Sequence, residues 1–346
     1  MIIDCVPRVL FRIERKNLPR GVRSAPKVYR FFLCEARLCE TRLCVSKTWR
    51  SQTLHFNIHI MDKFKTWMSQ ISDEAKITEI AIPGAHNAGT RGMMPLACCQ
   101  DGGFYDLFSH GVRHFSIRLN TDKKGVIVQS HAIINGEPFE NMLREMARAM
   151  EEAPGEFFIL EIQKYPNSSF GPYKFRAKLD SKAMDSLMEK YIQPSRYALW
   201  DFDDIRNVTM GDIRKTGKRF IILNPGKEYK YSSDAPFVSP WSNERNGQHA
   251  VVFAADLPHV YDDYQTEGFF SLQIQTTSGP GTKNGMNTPR RMERDFRPHM
   301  EHVCEEIRRN PYYLARTNIM AGDFMSKDFA KCEYIIRLNE DKGLYK

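Results

Sequence analysis

The chain has 346 residues, a formal net charge of +8 and a hydrophobic content of 42%. The positive charge lies at the start: residues 1–60 hold 12 Lys and Arg against 4 Asp and Glu, whereas residues 61–346 hold 38 of each sign. A neutral body argues against a nucleic-acid surface, so we expect no nucleic-acid partner. No apolar run approaches the roughly 18 residues of a membrane helix, which excludes a spanning protein and predicts a soluble or peripheral one.

Residues 1–60 are predicted to be a basic, poorly ordered extension, and residues 61–346 to be one folded domain. An organelle-directing peptide and a mis-assigned start are the alternatives for residues 1–60. No secretory signal is visible, so we expect a cytoplasmic or peripheral membrane location, with an extracellular one left open. The cysteines of residues 1–60 fit no zinc-ligand spacing well and are predicted to be reduced thiols, with a zinc or redox role as the alternative. Those of the body are predicted to be packing residues: Cys98, Cys99, Cys304 and Cys332.

The first element of the body is an apolar run that ends in Pro-Gly, within ITEIAIPGAHNAGT from Ile77 to Thr90. Residues 78–82 are predicted to form a strand, which Pro83 and Gly84 stop. His86 then lies in a tight turn at the carboxyl end of the strand, where its side chain can point at a ligand. A solvated loop histidine is the ordinary alternative.

The next elements follow in chain order as strands and helices. GVRHFSIRLN alternates apolar and polar residues, which predicts a second strand that ends at Arg118 or just beyond, and a third runs from Val126 to His131. A helix with one apolar stripe begins at Phe139. A fourth strand covers residues 157–162 and is followed by Gln163 and Lys164.

The second half continues the alternation. A helix is predicted over residues 175–192, and strands are predicted over residues 219–223, 269–274 and 318–321. Between them lie an irregular loop over residues 229–246, a short apolar run over residues 250–254 and the polar patch Tyr261 to Tyr264. The other helices contain Met300, Val303, Cys304 and Ile307, and Tyr334, Ile335 and Leu338.

Apolar strands that alternate with helices predict an α/β fold with a parallel sheet. About seven or eight strands suit a single closed (β/α) barrel, and an open doubly wound sheet is the alternative. Polar residues follow the predicted strands, and in a barrel all strand carboxyl ends meet at one mouth. We therefore expect these side chains to converge on one pocket: His86, Arg118, His131, Gln163, Asn224 and Asp323.

Two histidines, one arginine and one carboxylate suit attack of a hydroxyl on a phosphodiester. That reaction needs a base, an acid and a fixed positive charge for the transition state. Histidine fits the first two tasks because its ordinary pKa lies near 6.5, and arginine fits the third through its permanent charge and forked donors. The absence of a GxGxxG or P-loop leaves dinucleotide and triphosphate chemistry unsupported.

Six blocks then carry a resemblance, in this order: WMSQISDEAKITEIAIPGAHNAGT, GVRHFSIR, VIVQSH, PGEFFILEIQKY, MGDIRKTGKRFIIL and NIMAGDF. They resemble the X-domain family of phosphatidylinositol-specific phospholipases C, above all the metal-independent bacterial enzymes and the X-domain-only eukaryotic proteins. The resemblance implies a distorted TIM barrel that cleaves phosphatidylinositol, or its glycan-anchored form, into diacylglycerol and a cyclic inositol phosphate. It implies no cofactor, and we expect a monomer in peripheral contact with the membrane.

By position in these blocks, His86 is similar to the general base and Asp323 to the carboxylate that orients it. His131 is similar to the general acid, and Arg118 to the group that holds the phosphate. Asn87 is assigned to the same catalytic group. The resemblance further implies substrate contacts for Gln163, Lys164, Asn224, Asp262 and Tyr264.

Calcium-dependent relatives bind their ion through an Asn after the first histidine and through acidic residues on the second strand. Asn87 fits that pattern, but Ser116 and Arg118 stand at the acidic positions. We therefore predict no catalytic calcium and no other metal.

The chain departs from the metal-independent pattern, which has aspartate at the positions of Asn87 and Ser116, lysine at Gln163 and arginine at Pro225. Loss of nearby carboxylates is expected to lower the pKa of His131, and thus to give weak activity with an acid-shifted optimum.

Three functions follow from this pattern: an active phosphodiesterase, a weak or inactive barrel that binds phosphoinositides, and a glycerophosphodiester-type barrel. The last needs a metal-binding carboxylate cluster that the sequence lacks. In the loop DAPFVSPWSN, Phe237 and Trp241 are candidates for membrane contact, with ordinary packing as the alternative.

Overall fold

The computed structural model describes residues 62–164, 168–170, 173–175, 179–224, 228–240, 250–276 and 288–346. The extension predicted over residues 1–60 lies outside the described residues, as do Pro225 and Trp241. Within the described ranges, no helix has the length and apolar character needed to span a bilayer.

The described strands are β1 (Ile82–Ala85), β2 (His114–Thr121), β3 (Ile127–His131), β4 (Ile134–Pro138), β5 (Phe158–Lys164), β6 (Ser168–Phe170), β7 (Tyr173–Phe175), β8 (Phe220–Leu223), β9 (Phe237–Val238), β10 (Phe269–Gln273) and β11 (Ile319–Gly322).

The described α-helices are α1 (Phe104–Ser109), α2 (Phe139–Glu152), α3 (Ser181–Ile192), α4 (Pro194–Tyr197), α5 (Met210–Thr216), α6 (Ala250–Asp263), α7 (Pro289–Phe296), α8 (Met300–Arg309), α9 (Pro311–Arg316) and α10 (Ala330–Asp341). Short 3-10 helices cover Trp67–Gln70, Ile205–Asn207 and Arg297–His299.

Parallel pairing joins the strands in the order β8, β5, β2, β1, β11, β10 and β9. A parallel bridge between Leu223 and Ser233 then carries the chain from β8 back toward β9. The sheet thus curls into a distorted (β/α) barrel, with helices such as α2 packing their apolar stripe on its outside. This confirms the predicted α/β barrel and excludes the open sheet.

The third predicted strand does not join the ring. β3 pairs with β2 antiparallel, with Leu119 opposite Gln129, and β4 pairs with β3 antiparallel. No helix separates β2 from β3, and a short turn allows only an antiparallel return. His131 therefore lies at the mouth because β3 runs back toward the barrel, and not because it follows a strand of the parallel sheet.

The first predicted strand is shifted by about four residues. Residues 77–80 form a turn, and β1 runs through Pro83 and Gly84 instead of stopping at them. Pro83 is tolerated because β1 and β2 pair only from Gly84 onward, so its missing N–H falls before the ladder begins. Gly84 is required by space, since a Cβ there would lie 2.7 Å from His114 Nδ1 and 3.1 Å from the Ala321 backbone.

The run over residues 250–254 begins a 14-residue helix, α6, that includes Tyr261 to Asp263. The predicted helix over residues 175–192 begins later, at Ser181, where Asp180 caps it through the N–H groups of Lys182 and Ala183. The sequence did not reveal α6 as a helix, because its apolar run is short and because Pro258 lies inside it.

A buried ion pair closes the barrel end opposite the mouth. Arg113 and Glu156, both almost completely buried, lie 2.7 Å apart just before β2 and β5. The guanidinium also donates to the carbonyls of Phe64 and Lys65, and Glu156 accepts from the N–H of Ser69. The segment before β1 is thereby fixed to the bottom of the barrel. Cys98, Cys99, Cys304 and Cys332 are free and buried, as expected of packing residues.

Candidate active site

The first feature of the mouth is a histidine–carboxylate pair. β1 and β11 are parallel neighbours with Ala85 opposite Gly322, so the residues that follow them, His86 and Asp323, are brought face to face. His86 Nδ1 lies 2.9 Å from Asp323 Oδ1, and both residues are buried. The carboxylate fixes the tautomer with the proton on Nδ1, which makes Nε2 the nitrogen that can accept a proton.

The second imidazole, His131, is anchored in a similar way. Its Nδ1 lies 2.7 Å from the carbonyl oxygen of Ala97, which can only accept a hydrogen bond. Nδ1 therefore carries the proton, and Nε2 is again the atom available for proton transfer. Ala97 lies two residues before Cys99, whose carbonyl accepts from the N–H of Phe324, next to Asp323. The loop over residues 97–99 therefore contacts both His131 and the turn that carries Asp323.

Arg118 lies in the middle of β2, in register with Gln163 of β5, while Ser116 is in register with Glu161. All four therefore share the inner face of the barrel. The amide of Gln163 donates to the Glu161 carboxylate, whose other oxygen lies 3.2 Å from His114 Nε2. Beside Arg118, the barrel thus presents an amide that is hydrogen-bonded to a carboxylate, at the position where the metal-independent pattern has lysine.

Asn87 follows His86 with a left-handed backbone, φ 46°, which Asn tolerates better than most residues. Its Nδ2 lies 3.6 Å from Cys99 Sγ, and Thr90 Oγ1 donates to its carbonyl oxygen. Asn87 therefore shapes the turn that carries His86.

Gln100 is a site residue that the sequence did not reveal. Its side chain is fully buried, and Nε2 donates to the carbonyls of His86 and Gly322, each at 2.8 Å. Its Oε1 accepts from the N–H of Met325 at 3.0 Å. One amide thus holds together the two turns that carry the histidine and its carboxylate. A glutamine between a cysteine and an aspartate gives no pattern by which to predict this.

Lys331 supports Asp323 from behind. Its ammonium lies 2.9 Å from each carboxylate oxygen of Glu293 and 3.0 Å from the main-chain oxygen of Asp323. Arg297 is also paired with Glu293, at 2.9 Å. The Asp323 turn therefore rests on a buried, doubly paired carboxylate.

The pKa of His131 is lowered from its ordinary value. Burial is the largest cause, and the positive charges of Arg118 and His86 act in the same direction, while the Ala97 carbonyl and Asp323 oppose them. The direction agrees with the prediction, but the causes are burial and neighbouring cations. Arg118, His86 and Asp323 therefore lie close enough to His131 for their charges to change its pKa.

Cys99 joins the histidine–carboxylate pair. Its Sγ, a nitrogen of His86 and a carboxylate oxygen of Asp323 all lie within 4.8 Å of one another. Burial raises the pKa of the Cys99 thiol well above its ordinary value, and Asp323 raises it further. Cys99 is therefore a neutral thiol under ordinary conditions.

The remaining predicted residues divide into two groups. Asn224 follows β8 but uses its amide on the main chain, donating to Ile162 O and accepting from Glu228 N. Lys164 ends β5 on the same side of the barrel. Asp262 and Tyr264 lie at the end of α6, just before β10 begins. That is the opposite end of the barrel, so the structure does not bring them to the mouth.

The fold and site together define a (β/α) barrel with two Nδ1-anchored imidazoles and an arginine at its mouth. A scan against protein-family models gives no match. Among solved structures, the chain is similar to a phosphatidylinositol-specific phospholipase C from Staphylococcus aureus, with 16% identity, a TM-score of 0.59 and coverage of 81% of this chain and 98% of that one. It is also similar to the Listeria monocytogenes enzyme of that name, with 19% identity, a TM-score of 0.57 and coverage of 80% and 98%. These similarities establish the fold.

Proposed function

We propose that the chain is a phosphodiesterase that cleaves phosphatidylinositol, or a glycosyl-phosphatidylinositol, by general acid–base catalysis. The observation that carries the proposal is the arrangement at the mouth: the His86–Asp323 pair, with His131 and Arg118 close enough for their charges to interact. The shared fold of two bacterial enzymes with that activity supports the substrate class.

His86 is the base in this mechanism. Its Nε2 takes the proton from the inositol 2-hydroxyl as that oxygen attacks phosphorus. The imidazolium that forms is stabilised by Asp323 at Nδ1, so the charge develops next to a fixed carboxylate.

His131 is the acid. Its Nε2–H gives a proton to the glycerol oxygen as the bond from that oxygen to phosphorus breaks. The products are diacylglycerol and a cyclic inositol phosphate, and the two histidines exchange protonation states. The Ala97 carbonyl holds the ring so that only Nε2 takes part.

Arg118 supplies the fixed positive charge. The guanidinium stands on the inner face of β2 and binds the non-bridging phosphate oxygens, whose negative charge grows in the transition state. Asn87 and Gln100 position the His86 turn and do not take part in proton transfer.

An apolar rim supports peripheral membrane contact. Met94, Leu96 and Ile133 are about half exposed, at 50%, 47% and 52%. Ala97 contacts His131, and Ile133 follows His131 by two residues, so all three apolar side chains flank the mouth. A lipid substrate is reached from this side, and apolar side chains at the rim gain free energy from burial in the interface.

A second candidate is a phosphoinositide-binding barrel with little or no turnover. The pairing of Gln163 with Glu161 favours it, because the amide brings no positive charge to the headgroup pocket. This candidate predicts headgroup binding through Arg118 without product.

One assay separates these functions. The full chain is incubated with labelled phosphatidylinositol and excess chelator, in parallel with His86→Ala. Cyclic inositol phosphate from the unmodified chain alone supports the enzyme. Vesicle binding by both proteins without product favours the binding barrel. If the unmodified chain shows no binding and forms no product, both proposals are contradicted.

A further inference from the structure

The pair that serves as base and orienting carboxylate also belongs to a three-ligand cluster. Cys99 Sγ, one imidazole nitrogen of His86 and one carboxylate oxygen of Asp323 lie within 4.8 Å of one another. All three residues are buried, with exposed fractions of 2%, 8% and 3%. Cysteine sulfur, imidazole nitrogen and carboxylate oxygen are the donor types that zinc prefers in proteins.

The cluster is held rigidly from outside. The carbonyl oxygen of Cys99 accepts a hydrogen bond from the N–H of Phe324. The side chain of the next residue, Gln100, donates hydrogen bonds to the carbonyls of His86 and Gly322. Asn87 Nδ2 contacts Sγ, and Asn87 Oδ1 is buried without a hydrogen-bond partner among the described residues. An amide oxygen and a thiol at this cluster thus lack the strong partners that their burial calls for.

We infer that Cys99, His86 and Asp323 form a binding site for zinc or a similar thiophilic divalent cation. Metal binding there prevents His86 from acting as the general base. Binding replaces the thiol proton, which is released to solvent, and leaves a fourth coordination position for water. The metal site stands on its own geometry, whereas the loss of activity rests on the proposed function.

Loss of the base follows whichever imidazole nitrogen binds the metal. If Nε2 binds, the proton acceptor is occupied directly. If Nδ1 binds, the ring proton must sit on Nε2, which then cannot accept another. In both cases His86 has no nitrogen free to accept the proton of the attacking hydroxyl, so metal binding and substrate attack exclude each other.

The site is tested by cobalt spectroscopy on the full chain. Cys5, Cys34, Cys39 and Cys44 are first changed to serine, so that only the cysteines of the barrel remain. Co²⁺ is expected to give a thiolate-to-metal charge-transfer band at one equivalent, and Zn²⁺ is expected to remove it. Cys99→Ser should abolish the band, and Cys304→Ser, which alters a thiol buried in α8, should retain it.

A second ligand variant and an activity measurement complete the test. Asp323→Asn should weaken cobalt binding about tenfold or more, because the loss of even a group that only supports a ligand typically costs about that much affinity. If the chain has phosphodiesterase activity, zinc should inhibit it, and Cys99→Ser should raise the inhibitory concentration about tenfold or more. The absence of a band, or a band that survives Cys99→Ser, would overturn the metal site; an intact band in a chain without activity would sink the proposed function alone.

Discussion

His86 Nδ1 and Asp323 Oδ1 lie 2.9 Å apart although 237 residues separate them in the chain. Each is the first residue after its strand, and the strands are parallel neighbours in matched register. A one-residue change in that register would separate the two groups. The contact between His86 and Asp323 therefore depends on the pairing of β1 with β11.

Asp323→Asn should lower kcat by roughly 10² to 10⁴, the range expected when general-base catalysis is impaired. The amide removes the negative charge that stabilises the His86 imidazolium and no longer fixes the tautomer. KM should change little, because Asp323 faces His86 and not the lipid. The control is Asp295→Asn, an exposed carboxylate on α7. Equal kcat values for the two variants would contradict the assigned role.

The pH profile should show an acid-shifted alkaline limb. His131 must be protonated to act as acid, and its pKa is lowered by burial and by Arg118. Activity should therefore decline, as pH rises, below the ordinary histidine value of about 6.5. NMR titration of the His131 ring gives the same pKa directly. Arg118→Gln removes one lowering charge, so the titration should move to higher pH; an unchanged or lower midpoint would be inconsistent with this electrostatic account.

Arg113→Met should reduce the free energy of unfolding by about 3–5 kcal/mol, since it leaves Glu156 as a buried charge without its partner. Arg148→Met is the control, because the Arg148–Glu152 pair is exposed and should contribute little to stability. Urea denaturation of both variants provides the comparison. A loss below about 1 kcal/mol for Arg113→Met would show that the bottom of the barrel does not depend on this pair.

Changing Met94, Leu96 and Ile133 to serine should weaken partition onto phosphatidylinositol vesicles by about two orders of magnitude, at roughly 1 kcal/mol per side chain. Cleavage of a short-chain substrate below its micelle concentration should be unchanged, because none of the three side chains has a part in the proposed proton transfers. Tyr312→Ser removes an exposed aromatic at the opposite end of the barrel and serves as control. Vesicle sedimentation with equal partition for all proteins would refute the apolar rim.

The sequence predicted the elements with strong periods and the residues that follow strands. Phe139, Met142, Leu143, Met146 and Met150 are all buried on α2, and His86 and Asp323 lie where the strand ends indicated. The start of β1 was wrong because Ile77 and Ile80 pack into the core from a turn, which local alternation cannot distinguish from a strand.

Contacts that depend on three-dimensional proximity were not predictable from the sequence. The antiparallel return of β3 gives His131 a different route to the mouth, and Gln100 acts through main-chain carbonyls that any residue provides. Asp262 and Tyr264 were assigned through the resemblance alone, and they lie shortly before β10 begins, at the end of the barrel opposite the mouth.

β1 lies between β2, which follows it closely, and β11, which comes near the end of the chain. During synthesis on the ribosome, one edge of β1 must wait for more than 200 residues before its neighbour emerges, and the ring stays open until then. A product that terminated before Ile319 would have an exposed strand edge and a histidine without its carboxylate. The contact between His86 and Asp323 therefore cannot form before β11 has been synthesised.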